Sequence, residues 1–243
     1  MNNLKAVILA AGKGTRMESI LPKVLHEVNG EPMVEYSINA ALEAGADDII
    51  VIIGYKGDLV EEAIKEDVSF VEQKEQLGTG HAVMCAKDLI GTTGDTLILC
   101  GDTPLITGET LKKLYDFHKR ESNGVTVLSA SIDDPTGYGR IIRDAQGVFQ
   151  KITEHKDCTE EELKVNEINS GMYIFNNEAL SASLGRLDNN NSQGEYYLTD
   201  TIQIIKKAGL KVNAMVIDDI NEIMGVNTKA QLAEAEKIMN QRK

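Results

Sequence analysis

Short apolar runs and amphipathic segments alternate along the first half of the chain. The apolar runs are rich in β-branched side chains, as is typical of strands covered on both faces of a sheet. Five of them predict strands: AVILAA (6–11), DIIVIIG (48–54), VSFVE (68–72), TLILCGD (96–102) and VTVLSASI (125–132). Apolar residues at helical spacing predict helices from Pro32 to Gly45 and over about 58–66, 78–89 and 107–121. This alternation predicts an α/β fold with a doubly wound, mostly parallel sheet.

The alternation changes after residue 132. The segment GRIIRDAQGVFQKITEH predicts a hairpin turning at 145–147, and a charged loop follows it. The rest of the pattern predicts a returning strand in EINSGMYIFN, a helix in TDTIQIIKKAG, a strand in KVNAMVID, and a last helix that Thr228 and Gln231 begin with a capping box. We expect one domain over 1–243, made of a first part at 1–132, a second part at 133–227 with a small β-rich insertion, and a C-terminal helix at 228–243.

Composition narrows the class of protein. A chain of 243 residues with 42% hydrophobic content can bury the core of one α/β domain with a smaller lobe. The net charge of -13, with no basic face interleaved with aromatic residues, argues against binding of nucleic-acid polymers, although a few cations in a cleft can still hold a small phosphorylated ligand.

The expected location is the cytoplasm, without membrane association. The N-terminus has no secretory pattern, and no run approaches the roughly 18 apolar residues of a membrane span. Cys85, Cys100 and Cys158 are odd in number and form no C-x-x-C pair, which argues against a disulfide framework and a zinc cluster. The four histidines are scattered, so we expect them to serve packing and hydrogen bonding.

The first candidate for chemistry is the stretch LAAGKGTRMESILPK at residues 9–23. It follows a predicted strand, where open α/β sheets bind phosphates, but it matches neither the Walker A pattern nor G-x-G-x-x-G. The glycines alone are equally consistent with an ordinary turn. Arg16 offers a planar fork and Lys23 a compact charge to phosphate oxygens, so the full stretch favours a phosphate ligand.

The same stretch resembles the signature of the sugar-nucleotide pyrophosphorylase family, which is close to L-A-A-G-x-G-T-R-M followed by P-K. Six further blocks are similar to the uridylyltransferase domain of bifunctional bacterial members: FVEQKEQLGTGHA, GDTPL, GYGRIIR, NEINSGMY, GEYYLTD and GVNTKAQL. The resemblance implies a Rossmann-like nucleotidyltransferase fold whose insertion binds sugar. It also implies Mg²⁺-dependent synthesis of UDP-N-acetylglucosamine and pyrophosphate from UTP and N-acetylglucosamine 1-phosphate.

The resemblance assigns roles to individual residues. It implies catalytic roles for Arg16, Lys23 and Asp102, and Mg²⁺ ligation by Asp102 and Asn227. It implies nucleotide contacts from Leu9, Ala10, Ala11, Gly12, Gly14, Arg16, Lys23, Gln73, Gln76, Gly78 and Thr79. It implies contacts with the sugar phosphate from Gly139, Glu154, Asn169, Tyr197, Thr199 and Asn227. Without the resemblance, Asp102 and Asn227 are equally consistent with ordinary turn and loop residues.

The implied chemistry needs no general base. A sugar 1-phosphate is mostly a dianion at neutral pH, because its second pKa lies near 6. It is therefore already a nucleophile towards the α-phosphorus of UTP. The protein must supply in-line positioning and positive charge that stabilises the departing pyrophosphate.

Two departures from the family pattern leave alternatives open. Cys100 stands just before the Gly-Asp pair, where the family more often carries a larger polar or aromatic residue. The hexapeptide repeats of bifunctional members are absent, so we expect no acetyltransferase activity and a monomer or weak oligomer; a fragment and a stand-alone enzyme remain equally open. Two rival functions also remain, namely transfer to a different sugar 1-phosphate or from a different base, and non-catalytic sensing of a sugar nucleotide.

Overall fold

A computed structural model describes residues 3–242 of the chain. The strands are β1 (Leu4–Leu9), β2 (Glu27–Val28), β3 (Glu31–Pro32), β4 (Asp48–Ile53), β5 (Ser69–Glu72), β6 (Asp95–Cys100), β7 (Val125–Ser131), β8 (Arg140–Arg143), β9 (Phe149–Thr153), β10 (Glu167–Asn176) and β11 (Val212–Val216). The α-helices are α1 (Met33–Glu43), α2 (Gly57–Ala63), α3 (Thr79–Cys85), α4 (Lys87–Ile90), α5 (Gly108–Glu121), α6 (Asn177–Leu184), α7 (Asp200–Lys207) and α8 (Lys229–Gln241).

The main sheet has the strand order β11-β7-β10-β6-β1-β4-β5. Its neighbours pair in parallel except for β10, which is antiparallel to both β6 and β7. The hairpin of β8 and β9 joins the sheet where Ile168 of β10 pairs with Arg140. The predicted α/β fold with a mostly parallel sheet and a small β-rich insertion is confirmed.

Both faces of the sheet are covered by helices, as the continuous apolar runs predict. Ile8 of β1 is fully buried on the face packed by α1 and α5, and Val7 is fully buried on the face packed by α3, α6 and α7. Successive side chains of a strand point to opposite faces, so one short run contributes to two cores. The sheet is thereby fixed from both sides.

Several predicted boundaries are wrong. The helix predicted over 78–89 is divided into α3 and α4, because Ala86 between them leaves helical geometry with φ -91° and ψ 1°. Strand β1 lies two residues earlier than the predicted 6–11, and Pro32 lies just outside the first turn of α1. Helix α6 and the small β2-β3 sheet were not predicted.

The predicted capping box at the last helix has a different partner from the one expected. Thr228 accepts a hydrogen bond from the Gln231 backbone N–H at 3.2 Å, as predicted. The side-chain oxygen of Gln231, however, accepts from the backbone N–H of Asn227 at 2.8 Å, one residue before the N-cap. The start of α8 therefore holds Asn227 in place.

The sequence predictions about cysteines and membrane spans can be compared with the structure over residues 3–242. The three cysteines are free, and Cys85 is half-buried. Within residues 3–242, every helix is too short or too polar to cross a bilayer.

His118 is buried and contacts Thr126 and Asp95, at the edge of the sheet where β6 and β7 begin.

Asn177, at the start of α6, provides a test of the fold away from the candidate site. Its side chain is fully buried, accepts from Thr96 at 2.7 Å and donates to the Thr93 carbonyl at 2.8 Å. We predict that Asn177→Ala lowers the free energy of unfolding by about 2–3 kcal/mol, because buried partners lose their hydrogen bonds. Urea denaturation would measure the change.

The control for this prediction is Asn190→Ala, since Asn190 is exposed. Its effect should stay within about 0.5 kcal/mol. Equal stability changes for the two variants would contradict the structural role of Asn177.

Candidate active site

The candidate site lies at the carboxyl edge of the sheet, where β1 and β6 end side by side. The chain proceeds from β1 towards β4 in one direction and then returns to β6 on the other side of β1. Open α/β folds bind ligands at such a switch point. A cavity of about 330 Å³ opens there. Its lining residues are Leu9, Ala11, Gly12, Lys23, Val24, Ile52, Gln73, Gln76, Gly78, Thr79, Ala82, Cys100, Asp102 and Glu195.

Gly12 and Gly14, the two glycines of residues 9–23, have different surroundings. Gly14 has φ +61°, and a Cβ placed there would lie 2.4 Å from the Cβ of Lys23. Glycine is therefore required for Lys23 to lie against the turn. A Cβ placed on Gly12 would have no neighbouring atom within 4 Å, and Gly12 lies on the wall of the cavity. Buried Met17 anchors the end of the stretch.

Lys23 is at the centre of the polar contacts in this site. Its ammonium donates to the carboxylate Oδ2 of Asp102 and, at 2.9 Å, to the amide Oδ1 of Asn227. Arg16 donates to the same Asn227 oxygen at 2.8 Å. The Lys23 and Asp102 side chains are only 16% and 18% exposed, so solvent screens their interaction less than at an open surface. Asp102 and Asn227, which are 79 and 204 positions from Lys23 along the chain, thus both contact its ammonium group.

The Asp102 and Asn227 oxygens form a donor set that suits Mg²⁺. They are one carboxylate and one amide oxygen, and both already converge on a single cation. Mg²⁺ takes oxygen ligands and is commonly held by one or two protein groups beside substrate and water. Gly225 leaves room beside them, because a Cβ there would be 3.6 Å from the Asn227 amide nitrogen and 3.8 Å from Asp102 Oδ2.

The segment containing Gln73, Gln76, Gly78 and Thr79 forms another wall of the cavity. The Gln73 amide nitrogen lies 3.1 Å from both the Gly78 carbonyl oxygen and His81 Nδ1, and Gln76 donates to the Gln73 carbonyl. Gly78 has φ +113°, where a Cβ would meet the Tyr196 carbonyl at 2.6 Å. Buried Gln73 and exposed Gln76 are thus held by hydrogen bonds within a closed turn.

The predicted sugar contacts form a neighbouring cluster. A Cβ on Gly139 would lie 3.4 Å from Glu154 Oε2 and 3.5 Å from Asn169 Cβ, so these three residues meet. Thr199 donates to Glu154 Oε1 at 3.0 Å. Burial, together with nearby carboxylates, raises the pKa of Glu154 above its ordinary value. The Tyr197 hydroxyl lies apart from them, 2.8 Å from the side-chain nitrogen of Gln193.

Hydrogen bonds connect the cavity wall formed by residues 73–79 to the segment that precedes α7. The Gly80 N–H donates to the Tyr196 carbonyl, and the Tyr196 N–H donates to the Leu77 carbonyl, both at 2.8 Å. Thr79 accepts from the Leu198 N–H at 3.2 Å. The cavity therefore shares a wall with the predicted sugar contacts Gly139, Glu154, Asn169 and Thr199, which are called the sugar cluster below.

Not every predicted nucleotide contact lines the same cavity. Ala10 and Gly14 are not among its lining residues, and Arg16 lines a second cavity of about 330 Å³ that shares Asp102 and Cys100 with the first. Burial raises the pKa of Cys100 to about 12, so its thiol is neutral at pH 7. A neutral thiol is a poor nucleophile.

Sequence reasoning missed Glu195 and Tyr173 at the site. Glu195 lines the first cavity, and the Tyr173 hydroxyl accepts from the Asn169 side chain at 2.7 Å. The strand pattern alone could not have identified Tyr173, because the alternation of faces along β10 is interrupted by a register shift between Asn169 and Tyr173.

The fold and the site together define an α/β protein with a cavity and a cluster of charged side chains at the switch point of its sheet. A family model described as nucleotidyl transferase matches residues 5–238. The chain belongs to the nucleotidyl transferase family.

Curated relatives agree with this assignment. The chain is 52% identical over 242 residues to the bifunctional protein GlmU of Caldanaerobacter subterraneus subsp. tengcongensis, covering 100% of this chain and 53% of that protein. It is 54% identical over 239 residues to GlmU of Clostridium botulinum strain 657, covering 98% and 52%. The chain spans about half the length of the curated relatives it matches.

The structural comparison concerns the fold alone. A crystal structure of UDP-glucose pyrophosphorylase complexed with UDP-glucose superposes with a TM-score of 0.80, at 19% identity. The match covers 98% of this chain and 99% of that one.

The two glycines of the first loop provide a matched test. We predict that Gly14→Ala lowers the stability of the ligand-free protein by at least about 1–2 kcal/mol, because a left-handed backbone and the Lys23 contact both oppose a Cβ. Gly12→Ala should leave that stability nearly unchanged. Thermal unfolding of both variants without ligand measures the difference.

Nucleotide binding then separates structure from recognition. Gly12→Ala should weaken UTP binding in calorimetry, since its methyl group enters the cavity. Unchanged UTP affinity in Gly12→Ala would contradict the placement of the nucleotide against this loop.

Proposed function

We propose that this protein transfers a uridylyl group from UTP to N-acetylglucosamine 1-phosphate, giving UDP-N-acetylglucosamine and pyrophosphate. The observation that carries the proposal is identity above 50% to two GlmU proteins over nearly the whole chain, a span that contains the candidate site. The spatial meeting of Lys23, Asp102 and Asn227 supports it, because these residues come from three distant blocks.

The nucleotide lies in the cavity at the switch point. The uracil base contacts the closed turn of Gln73 and Gln76, which supplies amide and backbone groups for its polar edge. Leu9, Ala10, Ala11, Gly12 and Gly14 bring backbone close to the ligand, while Gly78 and Thr79 complete the base side. Arg16 and Lys23 bind the phosphates.

Asp102 and Asn227 hold Mg²⁺ in this proposal. When bound, the ion neutralises phosphate charge and so lowers the repulsion between two anionic reactants. Lys23 contacts both oxygens in the ligand-free structure. Its flexible stem lets the ammonium turn from these oxygens to the phosphates.

The sugar 1-phosphate is bound by the second part of the chain, residues 133–227. Gly139 leaves space beside Glu154 and Asn169, whose polar atoms accept from and donate to sugar hydroxyl and acetamido groups. Thr199 holds Glu154, and Tyr197 helps to wall the pocket.

The reaction is an in-line displacement. A phosphate oxygen of the sugar 1-phosphate forms a bond to the α-phosphorus of UTP. The bond from that phosphorus to the oxygen bridging to the β-phosphate breaks, and pyrophosphate leaves with its electron pair. Arg16 and Lys23 stabilise the charge that develops on the leaving group. No proton has to be removed from the nucleophile.

The setting of the enzyme follows from the same assignment. We infer that it acts in the cytoplasm on small substrates, without nucleic acid or membrane partners. We also infer that this stretch of chain is a monomer or weak oligomer. Its product is a precursor for peptidoglycan and the cell wall.

The test is pyrophosphate release across several sugar 1-phosphates, each with UTP, dTTP, CTP or ATP. We predict that N-acetylglucosamine 1-phosphate with UTP is used best, and that glucose 1-phosphate is used roughly 10- to 100-fold less well. A site built to hydrogen-bond a substrate group penalises an analogue that lacks it.

Two results would contradict the proposal in different ways. A preference for glucose 1-phosphate would keep the uridylyltransferase reaction and change the sugar. No release with any pair, combined with tight binding of UDP-N-acetylglucosamine, would make the protein a sensor.

A further inference from the structure

The irregular part of β10 lies between the sugar cluster and the end of β6. The pairing of β10 with β7 shifts register between Asn169 and Tyr173. Gly171, in the middle of the shift, has φ +81°, which a residue with a side chain rarely adopts. Such bulges re-aim side chains beside binding sites. Asn169 lies at the start of this bulge.

Asn169 is held at both ends of its amide. Its nitrogen donates to the Tyr173 hydroxyl at 2.7 Å, and its oxygen accepts from the Gly171 backbone N–H at 3.1 Å. One amide hydrogen and one oxygen lone pair are left beyond these two bonds. The two contacts therefore fix which end of the amide offers a donor and which offers an acceptor.

Tyr173 is suited to a fixed acceptor role. It is 3% exposed, and its ring packs against Phe175 with ring centroids 5.7 Å apart. Burial, with Glu154 nearby, raises its pKa well above the ordinary tyrosine value, so the hydroxyl stays neutral. An ordered neutral hydroxyl presents one acceptor position to Asn169 over the whole working pH range.

Cys100 supports the bulge from the other side. Its thiol donates to the Gly171 carbonyl at 3.6 Å, and a Cβ on Gly171 would lie 3.2 Å from the sulfur. The absence of a side chain at Gly171 thus provides the space that Cys100 occupies. Cys100 also lines the nucleotide cavity, so the bulge connects the two substrate sites.

We propose that Tyr173 is a positioning residue for sugar recognition, which acts by orienting the Asn169 amide on a bulge that Cys100 supports. Tyr173 does not contact the reacting atoms. The inference rests on the proposed function, since it names what orients a sugar contact in that reaction.

The experiment measures steady-state kinetics of Tyr173→Phe with N-acetylglucosamine 1-phosphate and UTP. We expect the KM for the sugar 1-phosphate to rise roughly tenfold, because Asn169 loses its buried acceptor and the amide can rotate. The KM for UTP should change less than about twofold, since the nucleotide walls are untouched. Preference over glucose 1-phosphate should fall with the loss of orientation.

Tyr36→Phe is the matched control. Tyr36 is a half-buried tyrosine whose hydroxyl donates a hydrogen bond to the Val28 carbonyl at 2.7 Å, and it lies outside both cavities. Both KM values should stay unchanged in this variant. Equal increases in both KM values for Tyr173→Phe, or an unchanged sugar KM, would overturn the proposal.

Variants at Cys100 test the same bulge if Tyr173→Phe folds poorly. Cys100→Ser keeps a donor for the Gly171 carbonyl, so we expect Cys100→Ala to raise the sugar KM more than Cys100→Ser does. The same sugar KM in both would overturn the role of the bulge. Inactivity of the wild-type protein with every sugar 1-phosphate would instead contradict the proposed function.

Discussion

The site depends on one interaction, the contact of the Lys23 ammonium with the oxygens of Asp102 and Asn227. Asp102 follows a central strand, Asn227 precedes the last helix, and Lys23 lies in the loop after the first strand. A single half-buried cation therefore draws together three parts of the chain. Any ligand that carries phosphates, with or without a metal ion, competes for the same charges, so binding and the local structure are coupled.

The surrounding structure serves to hold this contact in place. Gly14 permits the backbone turn against which Lys23 lies, and the Val226 N–H donates to the Asp102 carbonyl at 2.9 Å. The Gln231 side chain holds the Asn227 backbone from the start of α8. The sheet, covered on both faces, provides the rigid edge from which Asp102 extends. Electrostatic preorganisation of this kind is how phosphoryl-transfer sites stabilise charge without a general base.

The sequence predicted the sheet because buried parallel strands are continuous apolar runs. The division near residue 132, inferred from the change of pattern there, stays a prediction. It missed the break at Ala86 and helix α6, since short helices set by tertiary contacts carry weak periodicity. Asp102 and Asn227 were recognised through resemblance to a family, because a lone Asp or Asn in a loop has several ordinary explanations. The link from Tyr173 to Asn169 could not be predicted, because it depends on a register shift that alternation alone does not specify.

A double-mutant cycle of Lys23→Met and Asp102→Asn, with kcat/KM for UTP as the measurement, tests whether the contact of Lys23 with Asp102 has this central role. If the two residues act as one unit, each single variant loses roughly 100-fold or more, and the double variant loses little beyond the worse single variant. Losses that multiply would show that Lys23 and Asp102 act independently, which would contradict the central role given to their contact.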